Sequence, residues 1–215
     1  MNDQYPDYIV VEGPIGVGKT TLAERLAEHF GVELILEGAV SNPFLARFYE
    51  EPEKTALPTQ LFFLFQRAQQ VQKMRQSDLF KPVQVADFLI EKDRLFAELT
   101  LSADELGLYD QVYSQLTIDA PTPDLVIYLQ APAEVLRKRI IGRGIVHEQG
   151  IGDKYLQDLV DAYVQFFYHY DAAPLLIVNA AEIDLVSNKD DFYLLLEYVR
   201  ERPQGKHYLN PLELG

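Results

Sequence analysis

Short apolar runs alternate along the chain with longer segments in which apolar residues recur every three or four positions. The first run, Tyr-Ile-Val-Val at 8–11, precedes a segment from Lys19 to Phe30 with this longer spacing, and Gly31 follows it. A short run of β-branched and aromatic residues is typical of a buried strand, whereas a recurrence of three and four is typical of a helix. The opening of the chain therefore predicts a strand, a loop and a helix with a glycine at its C-terminal cap.

The same alternation continues to the end of the chain. Four more strands are expected, at residues 32–36, 82–86, 124–130 and 175–179. Helices are expected between and after them, at 59–76 with Pro58 at the start, and at 93–101, 103–116, 132–142, 153–171 and 191–200. Strands that alternate with helices predict an α/β fold, with a doubly wound five-stranded parallel sheet and helices on both faces. Without repeats or a linker, we expect one domain over residues 1–215.

The composition excludes several classes of protein. An apolar fraction of 48% is that of a globular chain, and the absence of cysteine excludes disulfides and thiolate metal sites. A formal charge of −14 argues against nucleic acid and anionic membranes as partners. Residues 1–8 show no signal-peptide pattern, and no apolar stretch is long enough for a bilayer span, so we expect a cytoplasmic protein.

A candidate phosphate-binding loop lies between the first predicted strand and helix. Eight residues match the pattern G-x-x-x-x-G-K-[ST] and are followed by Thr21: Gly13, Pro14, Ile15, Gly16, Val17, Gly18, Lys19 and Thr20. Backbone N–H groups and a helix N-terminus form an anion cradle in such loops. We expect Lys19 to neutralise the β- and γ-phosphate oxygens and Thr20 to coordinate Mg²⁺. The loop therefore predicts ATP or another nucleoside triphosphate as a phosphoryl donor, together with Mg²⁺.

Carboxylates follow two of the predicted strands. Glu37 comes after the second strand and Asp87 after the third. Because ligands of parallel sheets lie beyond the carboxyl ends of the strands, we expect both side chains near the phosphates. Phosphoryl transfer to a hydroxyl needs one group that accepts the proton and another that holds Mg²⁺. We therefore expect Glu37 and Asp87 to be catalytic, with Asp87 also a metal ligand.

A basic cluster late in the chain predicts a lid over the phosphates. Arg139 and Arg143 are four residues apart, which places them on one face of a helix. Glycines at 142, 144, 150 and 152 supply backbone freedom. Since arginine suits the stabilisation of charge on a transferring phosphoryl group, we expect both arginines to be catalytic, on a mobile lid at about residues 139–152.

In their order and spacing these residues resemble the deoxyribonucleoside kinase family over nearly the whole chain. The resemblance also rests on the following segments: Tyr49-Glu50-Glu51-Pro52, Gln60, Arg67, Asp93-Arg94, Tyr128 to Pro132, and Glu148 to Ile151. It implies transfer of the γ-phosphoryl group of ATP to the 5′-hydroxyl of a deoxynucleoside, with a purine favoured. It also implies a homodimer.

The resemblance implies a role for individual side chains. Glu37 takes the proton from the 5′-hydroxyl, and Tyr49 reaches the 3′-hydroxyl. The nucleobase lies against flat apolar walls and meets a bidentate amide and its charged neighbours, and the residues of this set are Gln60, Phe63, Arg67, Phe88 and Asp93. Flat walls and an amide are also what the chemistry of a nucleobase requires.

Three departures from the family pattern leave other functions open. An arginine that positions the catalytic carboxylate is expected after Asp87, but Phe88 stands there; a third lid arginine is missing; and Lys154 stands where a glutamate would hold the 3′-hydroxyl, with Asp153 beside it. One alternative is a nucleoside monophosphate kinase of the thymidylate kinase type. Such an enzyme needs extra arginines for the acceptor phosphate, and only Arg47 lies between residues 30 and 60. The other is a nucleotide-binding regulatory protein with weak turnover.

Lys19→Ala is expected to abolish triphosphate binding and turnover while the chain stays folded, because the side chain is expected to contact phosphate and not the core. Titration calorimetry with ATP and circular dichroism measure the two quantities. Turnover near the wild-type level would contradict the assignment of the phosphate loop.

Overall fold

A single parallel sheet forms the centre of the protein in a computed structural model that describes residues 5–76, 84–116 and 120–209. In these residues it has six strands, numbered along the chain: β1 Tyr8–Glu12, β2 Glu33–Ile35, β3 Gln84–Ala86, β4 Leu125–Gln130, β5 Leu175–Asn179 and β6 Lys206–Leu209. Their spatial order is β2-β3-β1-β4-β5-β6, and every neighbouring pair is parallel.

Eight α-helices connect and cover the strands within the described residues. They are α1 Lys19–Phe30, α2 Leu45–Glu50, α3 Pro52–Gln76, α4 Asp93–Thr100, α5 Ala103–Gln115, α6 Ala133–Arg143, α7 Asp153–His169 and α8 Lys189–Arg200. Single 3₁₀ turns occur at Ala39–Ser41, Ile90–Lys92 and Val146–Gly150. None of the helices in the described ranges has both the length and the apolar character needed to cross a bilayer.

The doubly wound parallel sheet expected from the sequence is confirmed, but the expected number of five strands is wrong. The sixth strand, β6, reads Lys-His-Tyr-Leu, and only Leu209 in it is buried. It pairs on one side with β5 at the edge of the sheet, so its other residues stay exposed and carry no apolar run. Residues 82 and 83 of the expected third strand lie outside the described residues.

The start of the long helix α3 was also predicted wrongly. It begins at Pro52, and Pro58 lies inside it. Proline costs little in the first turn of a helix, where its missing N–H would have no partner, so Pro52 is the better start. Around Pro58 the hydroxyl groups of Thr55 and Thr59 donate to the carbonyls of Glu51 and Thr55, at 2.9 and 2.7 Å. Both threonines are buried, so packing holds this stretch in a helix despite the proline.

Apolar side chains on the two faces of the sheet form two parts of the core. In β1, Ile9 and Val11 point to the face covered by α1, α6 and α8, whereas Val10 points to the face covered by α4 and α7. All three are fully buried, as expected for a central strand of a parallel sheet. The packing leaves the carboxyl ends of β1, β2 and β3 side by side at one edge, where the functional side chains lie.

Candidate active site

The loop after β1 is built so that its backbone passes very close to its neighbours. A Cβ atom on Gly13 would lie 2.6 Å from the Leu129 carbonyl oxygen, and one on Gly16, where φ is +81°, would lie 2.8 Å from Cγ1 of Ile140. Only glycine fits at both positions. Helix α1 then begins at Lys19 behind Gly18, and no side chain caps its first N–H groups. These N–H groups are therefore free to bind an anion.

The Thr20 hydroxyl in the first turn of α1 and two groups from separate strand ends meet beside this loop. The Thr20 hydroxyl donates to Oδ2 of Asp87 at 2.7 Å, and the Glu37 backbone N–H donates to Oδ1 of Asp87 at 2.6 Å. Glu37 and Asp87 thus converge as their positions after β2 and β3 predict. Lys19 lies in the same region, where burial and the nearby Lys92 cation lower the pKa of its ammonium group.

A cavity of about 590 Å³ opens beyond these strand ends. It brings together most of the residues predicted from the sequence: Ile15, Gly16, Gly18, Lys19, Thr20, Thr21, Glu37, Tyr49, Gln60, Phe63, Arg67, Asp87, Arg139 and Arg143. Gly13 and Pro14 are buried in the loop, and Val17 lines a second cavity. Asp93 lies behind Arg67 and does not line the cavity.

The prediction that Phe88 walls the base is wrong. Phe88 is fully buried and packs in the core with residues of β1 and α7. It directly follows Asp87, and successive residues of an extended segment point to opposite sides, so an aspartate that faces the cavity turns Phe88 away from it. Aromatic walls are instead supplied by Phe48, Phe63 and Phe96.

Five charged side chains form a continuous buried chain of ion pairs along one side of the cavity. Arg67 joins two carboxylates, with Nη1 at 2.8 Å from Oδ1 of Asp93 and Nη2 at 2.9 Å from Oε1 of Glu37. Lys92 joins the next two, with Nζ at 3.2 Å from Oε1 of Glu37 and 3.0 Å from Oε2 of Glu12. Sequence reasoning missed Glu12 and Lys92, which together with Asp93 are the three most deeply buried members.

This ion chain determines the protonation state of Glu37. Burial opposes ionisation of the carboxyl group, but the cations of Lys92 and Arg67 prevail and lower its pKa to about 2. Burial has the opposite result for Asp93 and raises its pKa to about 6, against the effect of Arg67. Both cations bind Oε1 of Glu37, and in the described part of the chain no donor reaches Oε2. Glu37 therefore keeps one carboxylate oxygen available at neutral pH.

A second carboxylate missed by the sequence reasoning lies at another end of the cavity. Glu148 is buried in the 3₁₀ turn, lines the cavity with Tyr49, and pairs with Arg143. Burial, together with the neighbouring Tyr155 and Glu148, raises the pKa of the Tyr49 phenol, which therefore stays protonated and can donate. Asp153 is exposed and does not line the cavity.

Lys154 stands where the family pattern has the glutamate that would hold the 3′-hydroxyl. It is also exposed, and it pairs with Asp158 on the surface of α7. Neither Lys154 nor Asp153 lines the cavity. The sequence signal that could have identified Glu148 as a site residue was the Glu-Gln-Gly-Ile run, because Glu148 is its glutamate.

The amide of Gln60 has a fixed orientation at the apolar end of the cavity. Thr100 donates its hydroxyl proton to the carbonyl of Phe96 at 2.7 Å, so its oxygen can only accept. It accepts from Nε2 of Gln60 at 3.1 Å. The Oε1 atom of Gln60 and its second N–H group have no hydrogen-bond partner among the residues that the structure describes. Two turns further along α3, Nε of Arg67 has no acceptor among the described residues and is enclosed by the protein.

A second cavity of about 470 Å³ lies on the other side of the phosphate loop. It is lined by Val17, Gly18, Arg139 and residues 180–186 of the loop after β5. Arg139 holds the two sides together, because it donates to the carbonyls of Val17 at 3.1 Å and Ala180 at 2.6 Å. Gly18 and Arg139 line both cavities, so a molecule bound along the phosphate loop could reach both.

Comparison with known proteins is consistent with this site. The family model described as deoxynucleoside kinase matches residues 9–202. A deoxyguanosine kinase from Bacillus subtilis (strain 168) is 38% identical over 200 residues, which cover 90% of this chain and 96% of the relative. A deoxyadenosine kinase from Lactobacillus acidophilus is 29% identical over 208 residues, which cover 90% and 95%.

The fold is also similar to solved structures. A deoxyadenosine kinase from M. mycoides, solved with the products dCMP and a flexible dCDP, superimposes with a TM-score of 0.79 over 90% of this chain and 99% of that one. The two sequences are 24% identical, so this likeness concerns the fold.

The resemblance implies that a glutamate holds the 3′-hydroxyl, and Glu148 is the buried glutamate that lines the cavity with Tyr49. Glu148→Gln is therefore expected to raise KM for the deoxynucleoside by about tenfold, because a neutral amide accepts a weaker hydrogen bond than a carboxylate. Asp153→Asn is the matched control and should leave KM unchanged, since its side chain is exposed. Steady-state kinetics with the acceptor varied at saturating ATP measure both. A larger rise in KM for Asp153→Asn than for Glu148→Gln would instead assign the 3′-hydroxyl to Asp153.

Proposed function

The chain belongs to the deoxynucleoside kinase family, and on that premise we propose that it transfers the γ-phosphoryl group of ATP to the 5′-hydroxyl of a purine deoxynucleoside, with deoxyguanosine favoured. The observation that carries the choice of acceptor is the amide of Gln60, a buried residue that lines the cavity and whose Oε1 atom and second N–H group have no partner among the described residues. Arg67 lines the same cavity two turns further along α3 and brings a cation to it.

Guanine has the complementary pattern. Its O6 and N7 atoms are adjacent acceptors, the pair that arginine binds with two N–H groups. Its N1–H group can donate to Oε1 of Gln60, whose orientation Thr100 fixes. A guanidinium has donors and no acceptor, so a base that turns acceptors towards Arg67 is favoured over one that presents an amino group there. The relative named deoxyguanosine kinase, at 38% identity, supports the same choice.

In the proposed reaction Glu37 binds the 5′-hydroxyl through Oε2. With its pKa lowered to about 2, the carboxylate is ionised and accepts a hydrogen bond from the hydroxyl at neutral pH. Such a weak base takes the proton only after the oxygen has begun to bond to phosphorus and has become acidic. The main contribution of Glu37 is therefore to orient the hydroxyl for in-line attack, a positional effect that can be large.

The sugar lies between this carboxylate and the 3₁₀ turn. Tyr49 donates to the 3′-hydroxyl, and Glu148 accepts from it. Phe63 and Phe96 flank the base as apolar walls. All four side chains line the same cavity, whose volume of about 590 Å³ is in the range of small-molecule sites.

The donor ATP lies along the phosphate loop. Its triphosphate contacts the N-terminus of α1 and Lys19, and Arg139 and Arg143 neutralise the transferring group. The second cavity, next to the residues 180–186, accommodates the donor base. The hydroxyl of Thr20 and the carboxylate of Asp87, 2.7 Å apart, are hard oxygen donors of the type that Mg²⁺ prefers. Mg²⁺, when bound, neutralises charge on the phosphates.

The site is less suited to a nucleoside monophosphate as acceptor. The additional phosphate group would need a cation that lines the cavity and is not already paired with a carboxylate. Arg67 and Lys92 are both paired with Glu37, and Arg47 is exposed and does not line the cavity. The homodimer and the cytoplasmic location stay predictions.

The acceptor assignment is tested by transfer of labelled γ-phosphate to each deoxynucleoside and deoxynucleoside monophosphate. Gln60→Leu should lower kcat/KM for the preferred deoxynucleoside by roughly ten- to a hundredfold and leave KM for ATP unchanged. Gln69→Leu, an exposed position on the same helix, is the matched control. Equal selectivity in the Gln60 variant and the wild type would mean that the base binds elsewhere, and preferential transfer to a pyrimidine or a monophosphate would contradict the proposed acceptor.

Asp87→Asn should reduce turnover by about three orders of magnitude, because a neutral amide holds Mg²⁺ and the Thr20 hydroxyl weakly. A readout independent of turnover is the ATP affinity with and without Mg²⁺, measured by calorimetry. Mg²⁺ should tighten ATP binding to the wild type much more than to the variant. Loss of thermal stability with unchanged turnover per folded molecule would make Asp87 structural instead.

A further inference from the structure

The position that the arginine after the third-strand carboxylate was expected to fill is occupied by Phe88, which lies in the core. We infer that Lys92, held by Glu12, is the residue that positions the catalytic carboxylate of Glu37. The inference rests on the proposed function, because it concerns the base of that reaction. Lys92 stands five residues after Asp87 in the chain, whereas the expected arginine would stand directly after it.

Lys92 is held so firmly that it can serve as a fixed reference point. Its side chain is 1% exposed, and Nζ donates to Oε1 of Glu12 at 3.1 Å and forms an ion pair with Oε2 at 3.0 Å. Nζ also forms an ion pair with Oε1 of Glu37, at 3.2 Å. Three carboxylate oxygens thus surround a group that has three donors and no acceptor. The lysine cannot turn away without leaving buried carboxylates unpaired.

Glu12 is in turn fixed by the backbone. Its Oε1 atom accepts from the N–H of Gly13 at 2.8 Å and from the hydroxyl of Tyr163 at 2.9 Å, and Oε2 accepts from the N–H of Leu89 at 2.8 Å. Glu12 thereby connects the first residue of the phosphate loop with the segment that leads to Lys92. The distance between the phosphate loop and the Glu37 carboxylate is therefore set by a short series of hydrogen bonds and ion pairs.

The role of Lys92 differs from that of Arg67, the other cation on Glu37. Arg67 also lines the apolar end of the cavity and pairs with Asp93, so a change there affects base recognition as well. Lys92 approaches the same Oε1 atom from the side of Glu12. Two cations on one oxygen fix the rotation of the carboxylate and direct Oε2 to the acceptor. Loss of Lys92 should therefore impair the chemical step more than binding of the deoxynucleoside.

The competing explanation is that Lys92 only neutralises the buried charge of Glu12. Either role predicts that Lys92→Met is unstable, since Glu12 would be left unpaired in the core. The double variant Glu12→Gln, Lys92→Met distinguishes the two roles, because it removes both charges and keeps most of the volume of the two side chains. If Lys92 were only a counter-charge, the double variant would regain both stability and turnover.

The experiment measures kcat, KM for deoxyguanosine, KM for ATP and the melting temperature of five proteins: the wild type, Lys92→Met, Lys92→Arg, the double variant and Lys206→Met. Lys206, on β6, also donates to two carbonyl oxygens, of Phe167 and Tyr168, far along the sheet from Glu37, and serves as the matched control. Lys92→Met should lose kcat by on the order of a hundredfold, the cost of a misplaced reacting group, with each KM within about threefold of the wild type.

The double variant should recover melting temperature relative to Lys92→Met while its kcat stays low, and Lys92→Arg, which keeps the charge, should retain more kcat than Lys92→Met. Recovery of near wild-type kcat in the double variant overturns the inference, as does a loss confined to KM. Failure of the wild type to phosphorylate any deoxynucleoside is a different result, and it would overturn the proposed function instead.

Discussion

A charge is retained in a protein interior when it has a partner of opposite sign, and in this molecule that requirement fixes the geometry of the site. The five members of the ion chain come from different segments: the end of β1, the loop after β2, the middle of α3, and the residues at the start of α4. Removing one partner of such a pair typically costs about 3–5 kcal/mol, a large part of the stability of a domain. The segments that carry the charges are therefore held in register by electrostatics as well as by the apolar core.

The ion pairs also give the carboxyl groups of the site different pKa values. Glu37 gains two cations and is held ionised, whereas Asp93, at the far end of the same chain, has only Arg67 and a raised pKa. The pKa values of two carboxylates in one ion chain thus shift in opposite directions because of their neighbours. Such a difference suits a site where one group accepts a hydrogen bond from a reacting hydroxyl and another only completes a charge pair. In the proposed reaction this difference assigns orientation of the hydroxyl to Glu37 alone.

Features that depend on local sequence were predictable, and those that depend on distant partners were not. The phosphate loop and the convergence of Glu37 with Asp87 follow from strand, loop and helix order, which apolar spacing reveals. Glu12 and Lys92 read from sequence as ordinary charges at element ends, because only the fold makes each the other's partner. Phe88 was misplaced because its direction depends on where the strand ends. Edge strand β6 carries too little apolar character to stand out.

The hydroxyl of Thr100 has a consequence for how this chain can evolve. It lies outside the ion chain and only orients the amide of Gln60, by one hydrogen bond of 3.1 Å. A bond of that kind contributes about 1 kcal/mol, so its replacement is tolerable where replacement of a buried charge is not. In the proposed reaction, a change at Thr100 can therefore alter base preference at small cost to stability, whereas a change at Arg67, which belongs to both the base site and the ion chain, needs a compensating second mutation. Drift in base preference is thus open through the amide of Gln60 and restricted through the arginine.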